Sequence, residues 1–302
     1  MSDEPEAKKS RLSLLSFKPV LSPEITTAEL PLVDFYAARI REPKLISGLL
    51  KKLATQLPLP RQFGHLKRVK TTDTDNLVLV CVAESLTEAD AVGGLEDQSI
   101  VVQVPGRAPV TRAQYEWSKE HWPCSFREDK QMESMISGTF FGETELECMS
   151  DLMQCCLDAA GRAVDHVLCS GACVLAPAKQ SQPLAVAHDL STEGQPLRHA
   201  VIGAIDLVAK VQASVDSLPD VPDGFSIDLT AARQTDYLCT GLDCYLSEEP
   251  CAMCAMALLH SRISRVFYFK SNRACGALGT RLALHYNSDL NHKFHVFVVN
   301  GR

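Results

Sequence analysis

Hydrophobic positions in the first half of the chain follow first a helical period and then a strand period. Residues 43–57 place five leucines on one face of a helix, with the lysines off that face. Residues 65–84 lead from a basic edge through a polar turn into a strand, and 100–104 (IVVQV) predicts a second strand. Thr111 precedes a further helical run that Pro123 ends. Together these elements predict a small α+β domain.

The pattern changes in the second half, where strands and helices alternate. Apolar residues recur at helical spacing over 144–164, and 166–177 with 183–190 predict a hairpin. The elements predicted after them are a helix at 198–211, a long loop at 213–235, a strand at 242–246, a helix at 251–263 and a strand at 265–269. Such alternation is typical of an α/β sheet with helices on both faces.

These patterns divide the chain into three parts. Residues 1–20 are polar and lack periodicity, which predicts a flexible tail. Residues 21–140 form the predicted N-terminal α+β domain, and 143–302 the second domain. The Ser-Gly stretch at 137–142 is the predicted boundary.

Composition indicates a folded protein with reduced cysteines. The chain has 302 residues, of which 46% are hydrophobic and 22% charged, so a packed core is expected. No apolar stretch approaches the roughly 20 residues of a membrane helix, and the N-terminus does not resemble a signal peptide. We therefore expect a soluble protein that is not secreted, whose 12 cysteines are free thiols or metal ligands.

Charge is distributed unevenly along the chain although the net charge is only −7. Residues 41–70 carry eight Lys or Arg against one acidic residue, a net charge of +7. Residues 259–302 have a net charge of +6, whereas residues 143–258 have a net charge of −12. Two basic segments therefore flank an acidic middle, and the net charge conceals two candidate surfaces for a polyanion.

The strongest chemical signal is a set of metal-binding residue types. Cys251 and Cys254 stand at C-x-x-C spacing after Pro250, which we expect at the first position of a helix. His199 comes 52 residues earlier, also at a predicted helix start. One His and two Cys form a three-ligand zinc set with an open fourth position, although a buried histidine with two core cysteines is the alternative. Other cysteines lack a second spaced ligand set and are predicted to be core thiols: Cys155, Cys156, Cys169, Cys173, Cys239, Cys244 and Cys275.

The motif resembles that of the zinc-dependent nucleobase deaminases, H-x-E followed by P-C-x-x-C. His199-Ala200 and Pro250-Cys251-Ala252-Met253-Cys254 match it, but Val201 occupies the position of the glutamate that moves protons. Within that family, the chain resembles the adenosine deaminases that act on tRNA, and more narrowly the non-catalytic members of the eukaryotic heterodimers. The segments that resemble the tRNA adenosine deaminases are Glu249-Pro-Cys, 255–263, 276–280 and 290–292. The narrower resemblance rests on Val201, His65-Leu-Lys-Arg-Val69, His121-Trp-Pro123 and Ser125-Phe126.

The resemblance implies a fold, a partner and a substrate. It implies a three-layer α/β/α zinc domain with a mixed sheet, in which His199, Cys251 and Cys254 hold zinc and no residue is catalytic. It also implies pairing with a homologous catalytic subunit, so that the pair converts the wobble adenosine of certain tRNAs to inosine in the nucleus and cytoplasm. The residues expected to contact tRNA are Lys51, Lys52, Arg61, Lys67, Arg68, Lys70 and Arg273, which in an average protein would be solvated faces.

Two alternatives stay open at this stage. The chain could be a stand-alone zinc-dependent deaminase of bases or nucleotides that uses a substitute carboxylate, Glu193 or Glu249. Lys8, Lys9 and Arg11 could belong to a nuclear address, but so small a cluster is a weak signal and favours a solvated tail.

Overall fold

A computed structural model gives the fold of the chain in two units. One unit is Pro23–Ser134, and the other combines Met1–Ser22 with Met135–Arg302. The structure describes residues 15–40, 42–72, 75–83, 99–161, 169, 171–191, 193–213, 221–234, 237–287 and 289–301. Most of the predicted tail, including Lys8, Lys9 and Arg11, lies outside the described residues.

The predicted elements occur in the predicted order, and the structure adds elements that the sequence did not predict, among them strands at Leu32–Ile40 and His295–Gly301. The strands are β1 (Leu15–Pro19), β2 (Leu32–Ile40), β3 (Val69–Thr71), β4 (Asn76–Val82), β5 (Ser99–Pro105), β6 (Ala172–Pro177), β7 (Ala185–His188), β8 (Ser226–Ile227), β9 (Leu242–Glu248), β10 (Arg265–Lys270) and β11 (His295–Gly301). The helices are α1 (Pro23–Thr26), α2 (Pro43–Gln56), α3 (Arg112–His121), α4 (Lys130–Ser137), α5 (Glu143–Ala160), α6 (Ala200–Ala213), α7 (Leu229–Arg233) and α8 (Ala252–His260). Short 3-10 turns occupy Arg61–Phe63 and Leu284–Tyr286.

The smaller unit is built on an antiparallel sheet with the strand order β3-β4-β2-β5. Helix α2 buries Leu53 against one face of this sheet, as its leucine period predicts. Helix α3 begins at a capping box, in which the Thr111 side chain accepts from the Gln114 backbone N–H and the Gln114 side chain accepts in return. Local sequence signals therefore specify both helices.

The division between the units differs slightly from the predicted boundary. The sequence placed it in the Ser-Gly stretch 137–142, whereas the units divide between Ser134 and Met135, inside helix α4. The Ser-Gly stretch instead ends that helix, because Gly138 adopts a positive φ of 75°.

The larger unit is built on a seven-stranded mixed sheet in the order β1-β11-β10-β9-β6-β7-β8. Strands β9, β10 and β11 are parallel to one another, and the other neighbours are antiparallel. Two predictions are corrected here. Residues 15–19 form edge strand β1 and not a flexible tail, because they gain backbone hydrogen bonds from β11 and Phe17 packs edge-on against Phe267. The predicted loop at 213–235 contains β8 and helix α7, whose N-cap is Asp228.

Helices cover both faces of this sheet, which confirms the three-layer α/β/α fold. Successive strand residues point to opposite faces. Residues such as Cys173 and Leu175 join a core with helices α6 and α8. Tyr245 and Phe267, on the other face, stack with ring centroids 4.8 Å apart. Helix α5 lies on that face, since the Cys156 thiol donates to the Tyr245 carbonyl. No helix in the described ranges is long and apolar enough to cross a membrane.

Candidate metal centre

The three predicted metal ligands lie where two helices of the larger unit begin. His199 directly precedes helix α6, and Cys254 lies in the first turn of helix α8. Cys251 is the N-cap of α8, with φ −69° and ψ 171°. Pro250 therefore precedes the cap and is not the first helical residue that the sequence predicted. Cys251 has an extended backbone and lies just before the helix, whereas Cys254 lies within its first turn.

The structure brings these side chains together at distances that suit a metal. Nδ1 of His199 lies 3.6 Å from Sγ of Cys251 and 3.5 Å from Sγ of Cys254. A tetrahedral zinc ion with ordinary bond lengths separates two sulfur ligands by about 3.8 Å, and sulfur from nitrogen by about 3.6 Å. The residues therefore fit zinc, which matches the prediction from their spacing.

A fourth side chain, Cys169, belongs to the same cluster; it is a buried core thiol, as predicted, and it also lies beside the three predicted ligands. The ligand atoms of Cys169, His199, Cys251 and Cys254 all lie within 4.8 Å of one another. Sγ of Cys169 lies 3.7 Å from Sγ of Cys254. The sequence could not reveal this contact, because Cys169 is 85 positions from Cys254 and belongs to no spaced motif.

Hydrogen bonds within the cluster favour a thiolate at Cys251. Those that it receives from the Cys169 and Cys254 side chains lower the pKa of the Cys251 thiol well below its usual value. The same contact with Cys251 raises the pKa of Cys169 to about 12. One sulfur thus carries the negative charge that a metal cation needs, and further protons would leave on metal binding.

Val201 lies in the hydrophobic core and offers no proton-transfer chemistry. Its side chain is 0% exposed and packs in the core that helix α6 forms with the sheet. A valine side chain can neither accept nor donate a proton. The position that carries the glutamate in the H-x-E motif is therefore apolar and sealed from solvent.

Glu249, one of the two substitute carboxylates, is engaged in holding a loop. It is 0% exposed, and its Oε1 accepts backbone N–H bonds from Leu278 and Thr280, both at 2.9 Å. Its Oε2 accepts from the Asn272 N–H at 3.1 Å and from the Thr280 hydroxyl. A Cβ added at Gly276 would overlap this carboxylate, so only glycine fits there. Glu249 therefore acts as an anchor of the segment that precedes the two cysteines.

Glu193, the other substitute, lies exposed in a turn, where its N–H donates to the Leu190 carbonyl. It is not a member of the four-residue cluster.

The residues predicted to contact tRNA separate into two groups. The exposed group is Lys51, Lys52, Arg61, Lys67 and Arg273. Arg68 and Lys70 are half-buried, and their side chains have backbone partners within the smaller unit. The Arg68 guanidinium donates to the carbonyls of Leu57 at 2.5 Å and Leu79 at 3.1 Å. The Lys70 ammonium donates to the His121 carbonyl at 2.7 Å, so both cations satisfy backbone groups inside the smaller unit.

Comparisons with known proteins agree with this site. Residues 146–270 match the family described as the cytidine and deoxycytidylate deaminase zinc-binding region. The chain is 40% identical over 311 residues to the probable inactive tRNA-specific adenosine deaminase-like protein 3 of Homo sapiens. This alignment covers 92% of the present chain and 88% of the human protein. The protein of the same name in Danio rerio is 36% identical over 325 residues, with 97% and 96% covered. The tRNA-specific adenosine deaminase subunit tad3 of Schizosaccharomyces pombe is 28% identical over 243 residues, with 76% and 72% covered.

Proposed function

Since this chain belongs to the family of the inactive tRNA-specific adenosine deaminase-like proteins, we propose that it is the non-catalytic subunit of a heterodimeric tRNA adenosine deaminase. Its partner is a homologous subunit that keeps the proton-transferring glutamate. The pair converts the wobble adenosine of certain tRNAs to inosine, in the nucleus and the cytoplasm. The name of the S. pombe relative describes that protein as a subunit of such a deaminase, which supports the assignment.

The observation that carries the non-catalytic role is the burial of Val201. Deamination at a zinc site needs a group that takes a proton from water and passes it to the base and the leaving amine. General acid–base catalysis of this kind contributes about 10²–10⁴ in rate. Glu249 cannot take over the role while its oxygens hold the loop from Asn272 to Thr280.

Zinc in this subunit has a structural role in the proposal. When bound, it supplies a positive charge that holds anionic sulfur and joins the starts of helices α6 and α8. The chain's own residues position those sulfurs: Cys251 caps helix α8, and Glu249 fixes the segment before it. The unit thereby keeps the deaminase fold that a homologous partner can recognise.

The exposed basic residues of the smaller unit supply the proposed tRNA contacts. Lys51 and Lys52 lie on the solvent side of helix α2, and Lys67 is exposed before β3. Cationic side chains that contact phosphates release bound counterions, which contributes affinity without reading sequence. This role suits a subunit that holds tRNA while its partner performs the chemistry.

Activity of separated and combined subunits tests the proposal. We expect inosine to form in a tRNA substrate when this chain and the catalytic subunit are combined, and none with this chain alone. Robust turnover of tRNA, free bases or nucleotides by the purified chain alone would contradict it, and would favour the stand-alone deaminase.

A further inference from the structure

We propose that Cys169 is the fourth ligand of the zinc ion, so that the site is a closed Cys3His centre with no position for water. The inference goes beyond the proposed function, since it concerns the ligand set of this chain whether or not the chain serves a tRNA deaminase. A deaminase centre with His and two Cys keeps its fourth position open. Here the sulfur of Cys169 lies within 4.8 Å of the ligand atoms of the other three residues.

The distances around Cys169 match a zinc tetrahedron. Its Sγ lies 3.7 Å from Sγ of Cys254, close to the roughly 3.8 Å that two sulfur ligands of one zinc ion require. Both His199 contacts with the other sulfurs, at 3.5 and 3.6 Å, match the expected separation of nitrogen from sulfur. Three sulfurs and one nitrogen therefore lie close enough together to be ligands of one ion.

Cys169 is held against the start of helix α8 and is shielded from solvent. The Cys251 backbone N–H donates to its Sγ at 3.2 Å. This N–H lies at the start of helix α8, where unpaired backbone donors point outward and favour anions. Cys169 is only 1% exposed, so a charged sulfur there requires a cation beside it.

Proximity of two thiols does not by itself explain the cluster, as a second pair shows. Sγ of Cys173 lies 3.6 Å from Sγ of Cys244, and both residues are buried in the same core. Neither residue belongs to the four-residue cluster. Cys169 differs because it meets a histidine and two further cysteines. Cys244 is thus a matched control for a buried thiol that contacts another thiol without binding metal.

Closure of the centre gives a second reason why this chain does not deaminate. Where all four ligands are protein atoms, no water can occupy a vertex and lose a proton there. Restoring a carboxylate at Val201 would therefore leave the site without its nucleophile. The centre can still cross-link helix α6, helix α8 and the segment before β6.

Metal spectroscopy of the full chain tests this ligand set independently of tRNA editing. We expect X-ray absorption of the zinc-loaded protein to require three sulfur ligands and one nitrogen. In the cobalt-substituted protein, Cys169→Ala should lower the sulfur-to-cobalt charge-transfer band by about one third, since one of three thiolates is lost. The same variant should release zinc to a chelator at least about tenfold faster, whereas Cys244→Ala should match the wild type.

Two results would overturn the proposal. One is a wild-type spectrum that requires only two sulfurs with an oxygen ligand. The other is a Cys169→Ala protein whose cobalt spectrum and zinc release equal those of the wild type. Should Cys169→Ala fail to fold, the wild-type spectrum alone decides between three sulfurs and two. Deamination by the pair is not a readout here, so failure of this ligand set leaves the proposed function to its own test.

Discussion

Nδ1 of His199 lies 3.5 Å from Sγ of Cys254, although 55 positions of the chain separate the two residues. His199 precedes helix α6 and Cys254 lies in the first turn of helix α8. A metal ion held between them joins two helix starts that are independent in the unfolded chain. Metal binding should therefore add to the free energy of unfolding.

Replacing Cys251 and Cys254 together with alanine should remove zinc and destabilise the protein. We expect zinc content to fall from one per chain to near zero, and the melting temperature to fall by roughly 5–10 °C. Metal analysis and thermal unfolding followed by circular dichroism provide the measurements. Cys244→Ala is the control that keeps zinc, and an unchanged zinc content in the double variant would contradict the assignment.

Replacing Lys51, Lys52 and Lys67 with glutamine should weaken tRNA binding by the pair and reduce its salt dependence. All three side chains are exposed, so their loss should leave the fold intact. The slope of log K against log salt should become shallower by about 2–3 if each lysine contacts a phosphate. Binding titrations at several salt concentrations measure this slope.

Arg68→Ala supplies the contrast for the lysine variants. Its guanidinium bonds backbone carbonyls at the end of helix α2 and on strand β4. The substitution should lower the free energy of unfolding by about 1–2 kcal/mol and leave the salt slope unchanged in protein that remains folded. An unaltered slope in the triple lysine variant, or a lower slope in Arg68→Ala, would count against the predicted surface.

Removing the charge of Asp243 while Arg265 stays charged should lower the free energy of unfolding. The Arg265 guanidinium donates to Asp243 at 2.7 and 2.5 Å and to Glu145 at 2.7 Å. Asp243→Asn should lower the free energy of unfolding by about 3–5 kcal/mol, because it leaves a buried cation without its main partner. Replacing all three residues, as Arg265→Met with Asp243→Leu and Glu145→Leu, should recover part of that loss, because no charge is left without a partner. Urea unfolding of the three proteins measures the effect, and equal stability of Asp243→Asn and wild type would refute it.

The free energy of unfolding should depend on the charge of His285. Burial lowers the pKa of His285 to about 4, while its Nε2 donates to the Val20 carbonyl at 3.3 Å. Glu249 opposes the shift, and His295 adds to it. The unfolded histidine has a pKa of about 6.5, so between about pH 4 and pH 6.5 the unfolded chain binds a proton that the folded chain does not. Stability should be full above about pH 6.5 and should fall by up to about 3 kcal/mol as the pH drops to about 4.

His285→Gln is the variant that isolates this contribution. Glutamine keeps a side-chain N–H that can donate to the Val20 carbonyl and has no charge to gain. Urea unfolding between pH 7 and pH 4 should therefore show a flatter profile for the variant than for the wild type. Identical profiles would assign the acid sensitivity to other groups.

Features that depend on neighbours in sequence could be predicted, and features that depend on distant partners could not. Helix α2 follows from its leucine spacing, and helix α3 from the capping pair Thr111 and Gln114. Strand β1 escaped prediction because a five-residue segment is too short to show a period, and its pairing with β11 spans almost the whole chain.

The site shows the same contrast. His199, Cys251 and Cys254 form a recognisable motif, whereas Cys169 becomes a candidate ligand only when the segment before β6 reaches the start of helix α8. Arg68 resembles its exposed neighbour Lys67 in sequence, yet its guanidinium satisfies carbonyls of helix α2 and strand β4. The sequence shows where basic side chains occur, but it does not show which of them already donate hydrogen bonds to the protein backbone.

The single-turnover rate of inosine formation by the pair carrying Val201→Ala tests the central claim most directly. Because a buried valine takes no part in proton transfer, we expect a rate within about threefold of the wild-type pair, with a loss of stability from the smaller side chain. Removing the glutamate of the catalytic subunit should instead lower the rate by at least about 10²-fold. A loss of that size from Val201→Ala in folded, tRNA-bound protein would contradict the non-catalytic role.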